Sequence, residues 1–364
     1  FCSSILNSYQ KFAVPAFTPA LLNISLIGSS LLLAPHLRTP ELALAWGVLI
    51  AGFAQLFFQI PFLCRIDLLP RPKLNSSHEG LIRIKELMVP ALFGVSVTQI
   101  NLLFDTFIAS LLITGSVSWL YFSDRLMELP LGIFGVAIAV VILPALSRKH
   151  AESSTKEFSE TLDWALRLVC LIAIPSTIGL ILLSEPLLAT LFQNENFSAK
   201  DVTSAAGSLR AYAFGLLAFM SIKVFSPGYF SRQNTRTPVR IGIIAMFLNM
   251  VMNIVFYLNG MAHVGLALAT SIAAFVNAGL LFFGLVKEKV FSFQSGWIRY
   301  SIQLFFANLI LAIFLIYYAE ELSIWLNWQA ETKILQLGIL VFGGIVIYFV
   351  SLFVLGLRWR HIHR

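Results

Sequence analysis

Residues 117–143 read VSWLYFSDRLMELPLGIFGVAIAVVIL. This run can cross a bilayer as a helix, because about 20 residues rising 1.5 Å each span roughly 30 Å of hydrocarbon. Three ionisable residues stand inside it: Asp124, Arg125 and Glu128. Each costs about 2.5–3.5 kcal/mol near mid-membrane, so charge kept there points to a binding site or a pathway. Tyr121, Arg125, Glu128 and Gly132 follow at spacings of four, three and four and share one helical face, with Asp124 beside it.

The rest of the chain repeats the apolar pattern. Of 364 residues 58% are hydrophobic and 12% charged, with mean hydropathy +0.84, whereas a soluble domain carries about 25% charge. A soluble globule is excluded. Ten runs of spanning length occur, at 12–34, 41–63, 87–113, 117–143, 162–183, 203–224, 239–258, 264–286, 300–318 and 333–356. They lack the period-2 alternation of a barrel, so the fold class is all-α, a polytopic transmembrane helical bundle. Connections are short, the longest being 64–86, and no soluble domain, linker or low-complexity segment interrupts them.

Basic residues set the orientation. Lys and Arg collect in alternate connections: Arg65 to Lys85, Arg148 to Lys156, Lys223 to Arg240, Lys287 to Arg299, and the tail with Arg358, Arg360 and Arg364. The opposite connections hold few cations (Arg38, Lys200, Lys333) and several acids, Glu185, Asp201 and Glu320 among them. Both ends of the chain are therefore expected in the cytoplasm. The net charge of +7 follows from this topology and does not point to nucleic acid. Contact of the basic loops with anionic membrane lipids would be unspecific.

Cys2, Cys64 and Cys170 are too scattered for a disulfide framework or a zinc site. The histidines lie in connections, at span ends or in the tail, so no histidine proton relay through the membrane is expected. The chain opens at Phe1, with no initiator Met and no charged leader, and reads as a fragment.

Other intramembrane polar residues leave two readings open. Asp105 and Arg125 each lie about ten residues from the turn near Gly115, roughly 15 Å along antiparallel helices, so they stand at similar depth and could pair. Alternatively, Asp105 joins Asn249 and Asn253, which are i,i+4 on the seventh span, and Thr270 on the eighth, as an oxygen-rich site for a monovalent cation. The same amides and hydroxyl also suit hydrogen bonding between membrane helices. For the charged cluster, a packed ion pair competes with a cavity-lining face. Asp124, Arg125 and Glu128 sum to about −1 when ionised, so a phosphate held by the Arg125 fork would need further cations. Pro130, Gly132 and Gly135 after the cluster, and Pro175 in the fifth span, are places where a bundle could bend.

The stretch Ser118 to Ser147, SWLYFSDRLMELPLGIFGVAIAVVILPALS, closely resembles the MurJ (MviN) family of lipid II flippases, within the multidrug/oligosaccharidyl-lipid/polysaccharide exporter superfamily. Ser226 to Val239, SPGYFSRQNTRTPV, is a second match, and the likeness runs through essentially the whole chain. The resemblance implies a fourteen-helix fold of two six-helix lobes around a central cavity, plus two C-terminal helices. This chain would supply the last ten: 1–86 as the end of the first lobe and a cytoplasmic linker, 87–286 as the C-terminal lobe, and 287–364 as the extra pair and tail. The missing N-terminal helices would carry further cavity arginines.

By the same resemblance, Arg125 would engage the pyrophosphate of lipid II, the undecaprenyl-pyrophosphate-linked muropeptide, with Asp124, Glu128 and Tyr121 around it. The family's sodium site would map to Asp105, Asn249, Asn253 and Thr270. Some members have Asp where this chain has Asn253, a departure that removes a negative charge. The last two spans, in which no buried charge is expected, would receive the undecaprenyl tail. The implied function is flipping of lipid II from the cytoplasmic to the periplasmic leaflet of the bacterial inner membrane by alternating access, for cell-wall synthesis, alongside other cell-wall synthesis proteins. An exporter of drugs or of another lipid-linked polysaccharide is the nearest alternative. A membrane-embedded polyprenyl-phosphate enzyme fits less well, since no HExxH or Walker A pattern occurs and no sizeable loop is present.

Overall fold

Nine helical rods among the described residues are long and apolar enough to cross a membrane. They coincide with nine of the ten runs expected from hydropathy. The computed structural model describes residues 2–9, 11, 13–68, 88 and 99–357. The expected third span, 87–113, lies largely outside them, and its described part is helical over 99–110 (α4). The chain divides into two units, Phe1–Lys85 and Glu86–Arg364.

The first unit holds α1 (Cys2–Ser8), α2 (Ala13–Leu32) and α3 (Leu42–Cys64). Ala43, Gly47 and Ala51 are the buried face of α3 at four-residue spacing. Gly47 permits the approach to α2, since a Cβ there would stand only 3.0 Å from Ser29 Oγ. Such small-residue stripes let helices in lipid pack backbone to backbone.

The second unit contains α4, α5 (Ser116–Pro130), α6 (Val136–Ala151), α7 (Thr155–Leu182), α8 (Ser184–Leu191), α9 (Ala199–Phe214), α10 (Leu216–Phe230), α11 (Arg236–Leu258), α12 (Ala262–Lys287), α13 (Trp297–Tyr318), α14 (Leu322–Asn327) and α15 (Ala330–Val354). α5 and α6 are joined by one π-helical turn, Leu131–Gly135, immediately after Pro130. Proline removes one backbone donor and a π turn absorbs the resulting misfit, so the 36-residue rod Ser116–Ala151 continues for about 54 Å through the break. α9 packs on α5 and α12, and α10 packs on α6, α7 and α12. At the α9–α10 junction Gly215 permits close approach to α12: a Cβ there would come within 2.9 Å of Ser271 Cα. The core is built from Leu162, Leu209, Leu216 and Met220, while Ile316, Phe342 and Phe353 are exposed on the outer faces. An apolar exterior is what a bilayer solvent selects.

α13 and α15 form a hairpin, with α13 lying on α7 and α15 on α8. A polar clamp fixes this attachment. Asp163 on α7 is 3% exposed and accepts from Arg167 Nε at 2.8 Å, Trp297 Nε1 at 2.6 Å and the Gln294 backbone N–H at 3.2 Å. Arg167 donates to Ser295 O at 2.9 Å and lies over the rings of Trp297 and Tyr300 at 5.2 and 5.7 Å. The expectation that the last two spans lack buried charge is corrected here: Lys333, in the first turn of α15, is buried and donates to Gln193 Oε1 at 2.6 Å.

Asp163→Ala should strand Arg167 in this clamp and lower stability by about 3 kcal/mol, whereas Trp297→Phe, which removes one donor, should cost only about 1 kcal/mol. Thermal unfolding of the purified protein in lipid nanodiscs distinguishes the two, and equal melting temperatures would refute the clamp.

Candidate functional site

The fourth predicted span begins at a left-handed turn on Gly115, whose φ of 102° admits glycine without strain. From there Trp119 Nε1 donates to Asp201 Oδ1 at 2.8 Å, and Asp201 itself closes a capping box with Ser198 at the start of α9. The Trp119 ring meets His263, in the first turn of α12, edge-on at 4.7 Å. One turn further, Ser123 is fully buried and donates to Ala205 O at 2.7 Å. These contacts fix the rotation of α5. Leu126 and Met127 consequently enter the core, and the opposite face carries Tyr121, Arg125 and Glu128 outward.

On that face Arg125 Nη1 meets Glu128 Oε2 at 2.7 Å, with both side chains about half exposed (53% and 48%). The Arg125 guanidinium lies over the Tyr121 ring at 5.0 Å. Asp124 is half-buried and forms no ion pair with a described residue. The structure therefore gathers the residues singled out in residues 117–143 onto one helix surface, with Arg125 oriented and accessible rather than packed. Gly132 lies one turn beyond, within the π turn, and nothing stands within 4 Å of where its Cβ would be. An arginine held on an exposed ion pair can exchange its carboxylate for a phosphate at small cost, since such pairs contribute about 0–1 kcal/mol.

A second polar group forms where α4, α11 and α12 meet. Asp105 and Arg125 do not pair. Asp105 instead accepts from Asn253 Nδ2 at 2.5 Å and from Asn101 Nδ2 at 3.1 Å. Asn253 Nδ2 also lies 3.0 Å from Asn249 Oδ1, and Asn249 Nδ2 lies 3.1 Å from Thr270 Oγ1. Exchanging the Asn249 amide N and O instead lets it donate to Asp105 at 3.1 Å and to Asn101 at 3.0 Å while accepting from Thr270. In either orientation Asp105, Asn249, Asn253 and Thr270 form one contiguous network. Asn249 and Asn253 are buried, and Asn253 Oδ1 has no hydrogen-bond partner among the described residues. Asn101 was not singled out from sequence, although it stands four residues before Asp105 and so on the same helical face.

A carboxylate, neutral amide oxygens and a hydroxyl, with one buried oxygen left over, fit a monovalent hard cation as a donor set. No group of three or more His, Cys, Asp or Glu that could hold a metal ion occurs among the described residues. Any cation here would thus rest on one carboxylate and on neutral oxygens.

Residues 1–354 match the family model described as "Lipid II flippase MurJ". A "Probable lipid II flippase MurJ" of Vibrio cholerae serotype O1 is 47% identical over 358 residues, covering 98% of this chain and 68% of that protein. Its counterpart from Haemophilus influenzae is 44% identical, covering 100% of this chain and 72% of that protein. Among solved structures, "Lipid II flippase MurJ, inward closed conformation" superposes with a TM-score of 0.78 at 26% identity, covering 100% of this chain and 71% of that one.

Asn253→Leu should remove the nearest donor to Asp105 and destabilise the protein by about 2 kcal/mol. Adding Asp105→Leu in that background should restore part of the loss, because the stranded carboxylate goes with it. The double-mutant cycle is read by thermal unfolding, and strictly additive losses would mean that the two side chains do not act together.

Proposed function

This chain belongs to the MurJ family of lipid II flippases, and on that footing we propose how its own residues carry the headgroup across. It is a multi-span helical membrane transporter of lipid II, not an enzyme. We infer further that it works in the bacterial inner membrane with both ends of this chain cytoplasmic, moving lipid II from the cytoplasmic to the periplasmic leaflet by alternating access. Enzymes of cell-wall synthesis on either side would then be its functional neighbours.

The headgroup sets the barrier, because taking a pyrophosphate into hydrocarbon costs many kcal/mol unless it is paired. The observation that carries the proposal is the half-exposed Arg125, held by Glu128 and Tyr121 on the outward face of α5. Its planar fork donates two parallel hydrogen bonds to phosphate oxygens. Binding replaces the Glu128 carboxylate by phosphate, while the Tyr121 ring keeps the guanidinium in place. Asp124 and Glu128 together outweigh the single positive charge of Arg125, so release is favoured unless other cations of the transporter join. The π turn after Pro130 places a deformable joint directly behind the charged turn.

For the second network, Asp105 with the oxygens of Asn249, Asn253 and Thr270 would hold a sodium ion. Bound there, the ion would neutralise Asp105 inside the membrane. Asn253, in place of a second carboxylate, makes the site weaker in charge. A cation gradient or the membrane potential, worth about 2.3 kcal/mol per charge per 100 mV, would supply direction.

In cells depleted of the wild-type transporter, Arg125→Ala at normal protein level should fail to sustain growth and let lipid II accumulate in the inner leaflet. Arg125→Lys, which keeps the charge but loses the fork, should rescue poorly. An Ala variant with full periplasmic exposure of lipid II would show that the residue only packs. Asn253→Asp should strengthen sodium-dependent thermal stabilisation at least tenfold in apparent affinity over the wild type, with potassium as control. The same response to both ions in both proteins would end the sodium assignment.

A further inference from the structure

Tyr212, on α9, stands where the helices that carry the two polar groups meet. Asp201, Ala205 and Tyr212 follow at spacings of four and seven and share one face of α9. The first two meet α5, where Trp119 donates to Asp201 and Ser123 to the Ala205 carbonyl; both pairs are 82 positions apart, so the two helices run in parallel and Tyr212 is turned toward α5 as well. Long helical side chains lean back over the preceding turn. The half-buried phenol accordingly packs against the cluster that contains Ile108 of α4, Leu120 of α5 and Leu266 of α12. Asp105 comes three residues before Ile108 and Asp124 four residues after Leu120, each on the same helical face as that neighbour. Both carboxylates therefore border the Tyr212 site, and both act on the phenol electrostatically.

Two groups at this junction are uncommitted. The Asp124 carboxylate receives no hydrogen bond and no ion pair among the described residues, and the Tyr212 hydroxyl likewise has no partner there. Asp105, by contrast, accepts from Asn253 and Asn101. A phenol carries one proton, and its O–H rotates to suit its surroundings, so the positive end can favour only one of two carboxylates at a time. With both carboxylates charged, the hydroxyl is drawn both ways. A cation on the Asp105 oxygens cancels one pull.

We propose that Tyr212 is a positioning residue that couples the Asp105 network to the headgroup face, its hydroxyl turning to Asp124 when the charge on Asp105 is neutralised. Asp124 adjoins Arg125 in the chain, so a hydrogen bond on Asp124 weakens the repulsion that an incoming phosphate meets there. A cation in the network thus strengthens anion binding at Arg125, and by linkage a bound anion strengthens cation binding by the same factor. This consequence for transport rests on the roles proposed above for Arg125 and for the oxygen network, whereas the coupling between the two carboxylates needs neither ligand.

The test uses the full-length transporter in lipid nanodiscs, first in potassium buffer without sodium or pyrophosphate. Asp124→Asn should shift the melting temperature by different amounts in the wild-type and Asp105→Asn backgrounds. Tyr212→Phe, which keeps the ring and removes the hydroxyl, should shrink that difference by roughly half or more. A difference that Tyr212→Phe leaves unchanged, or no difference in any background, would overturn the proposal. With inorganic pyrophosphate as the probe, Asp105→Asn should tighten apparent affinity about fivefold, and adding Tyr212→Phe should cut that gain to about twofold or less. A gain undiminished by loss of the hydroxyl would also overturn it. Replacing potassium by sodium should reproduce the gain in the wild type but not in Tyr212→Phe. If the ligand-free comparison behaves as stated while pyrophosphate does not bind, or sodium acts as potassium does, Tyr212 stands as the coupling residue and the assignment of Arg125 or of sodium falls instead.

Discussion

In a hydrocarbon slab no water stands ready to satisfy a polar group, so each charge, amide and hydroxyl must be met by the protein or must border a wet space. This constraint organises the second unit. Ser123 donates to the Ala205 carbonyl, Ser271 to the Ala211 carbonyl at 2.6 Å, and Tyr348 to the Leu171 carbonyl at 2.8 Å. Each bond ties one helix to the backbone of another where apolar contact alone gives no registry. Lipid tails are as apolar as Leu, so helix association needs close small-residue packing and such polar ties.

Seen in that light, Asp105 and Arg125 are two different answers to one problem. Asp105 is surrounded by amide donors from α4 and α11 and is met without any cation among the described residues. Arg125 is met by a neighbour three residues away and by an aromatic face, both on its own helix. The first arrangement locks three helices together through a network in which one oxygen remains unused. The second commits no other helix, and leaves the guanidinium free to exchange partners as the surroundings of α5 change.

Much of this was legible in the sequence. Spanning length and hydropathy found nine described rods, and helical spacing put Tyr121, Arg125 and Glu128 on one face. Spacing of four placed Asn249 and Asn253 together. Three-dimensional convergence was less accessible. Depth counting allowed Asp105 to pair with Arg125, but depth says nothing of rotation, and α5 is rotated by Trp119 and Ser123 so that Arg125 turns outward. Asn101 is not legible as part of the network, because a single amide in a span looks ordinary until Asp105 is seen to need a donor. The clamp of Asp163 and Arg167 is not legible in the sequence, because an i,i+4 pair near a span end resembles a solvated surface pair. Its partners, Trp297 and the Gln294 backbone, come from more than 130 residues away. Lys333 reads as a connection residue for the same reason: its burial depends on Gln193, in the turn after α8.

The chain thus contains the same chemical couple, arginine with a carboxylate on the same helix, in two settings that differ in consequence. Asp163 and Arg167 are enclosed, with side-chain exposures of 4% and 13%, and backbone carbonyls and an indole complete their coordination. Separating them would leave uncompensated charge in a dry site, at several kcal/mol. Arg125 and Glu128 are half in the open, where the couple contributes at most about 1 kcal/mol and a better anion can displace the carboxylate. A transporter needs both kinds. On the headgroup role proposed for Arg125, its resting ion pair has to be weak so that what it binds can be released, whereas the attachment of α13 and α15 to α7 has to survive each cycle of movement. Exposure, more than residue type or spacing, separates the replaceable pair from the permanent one.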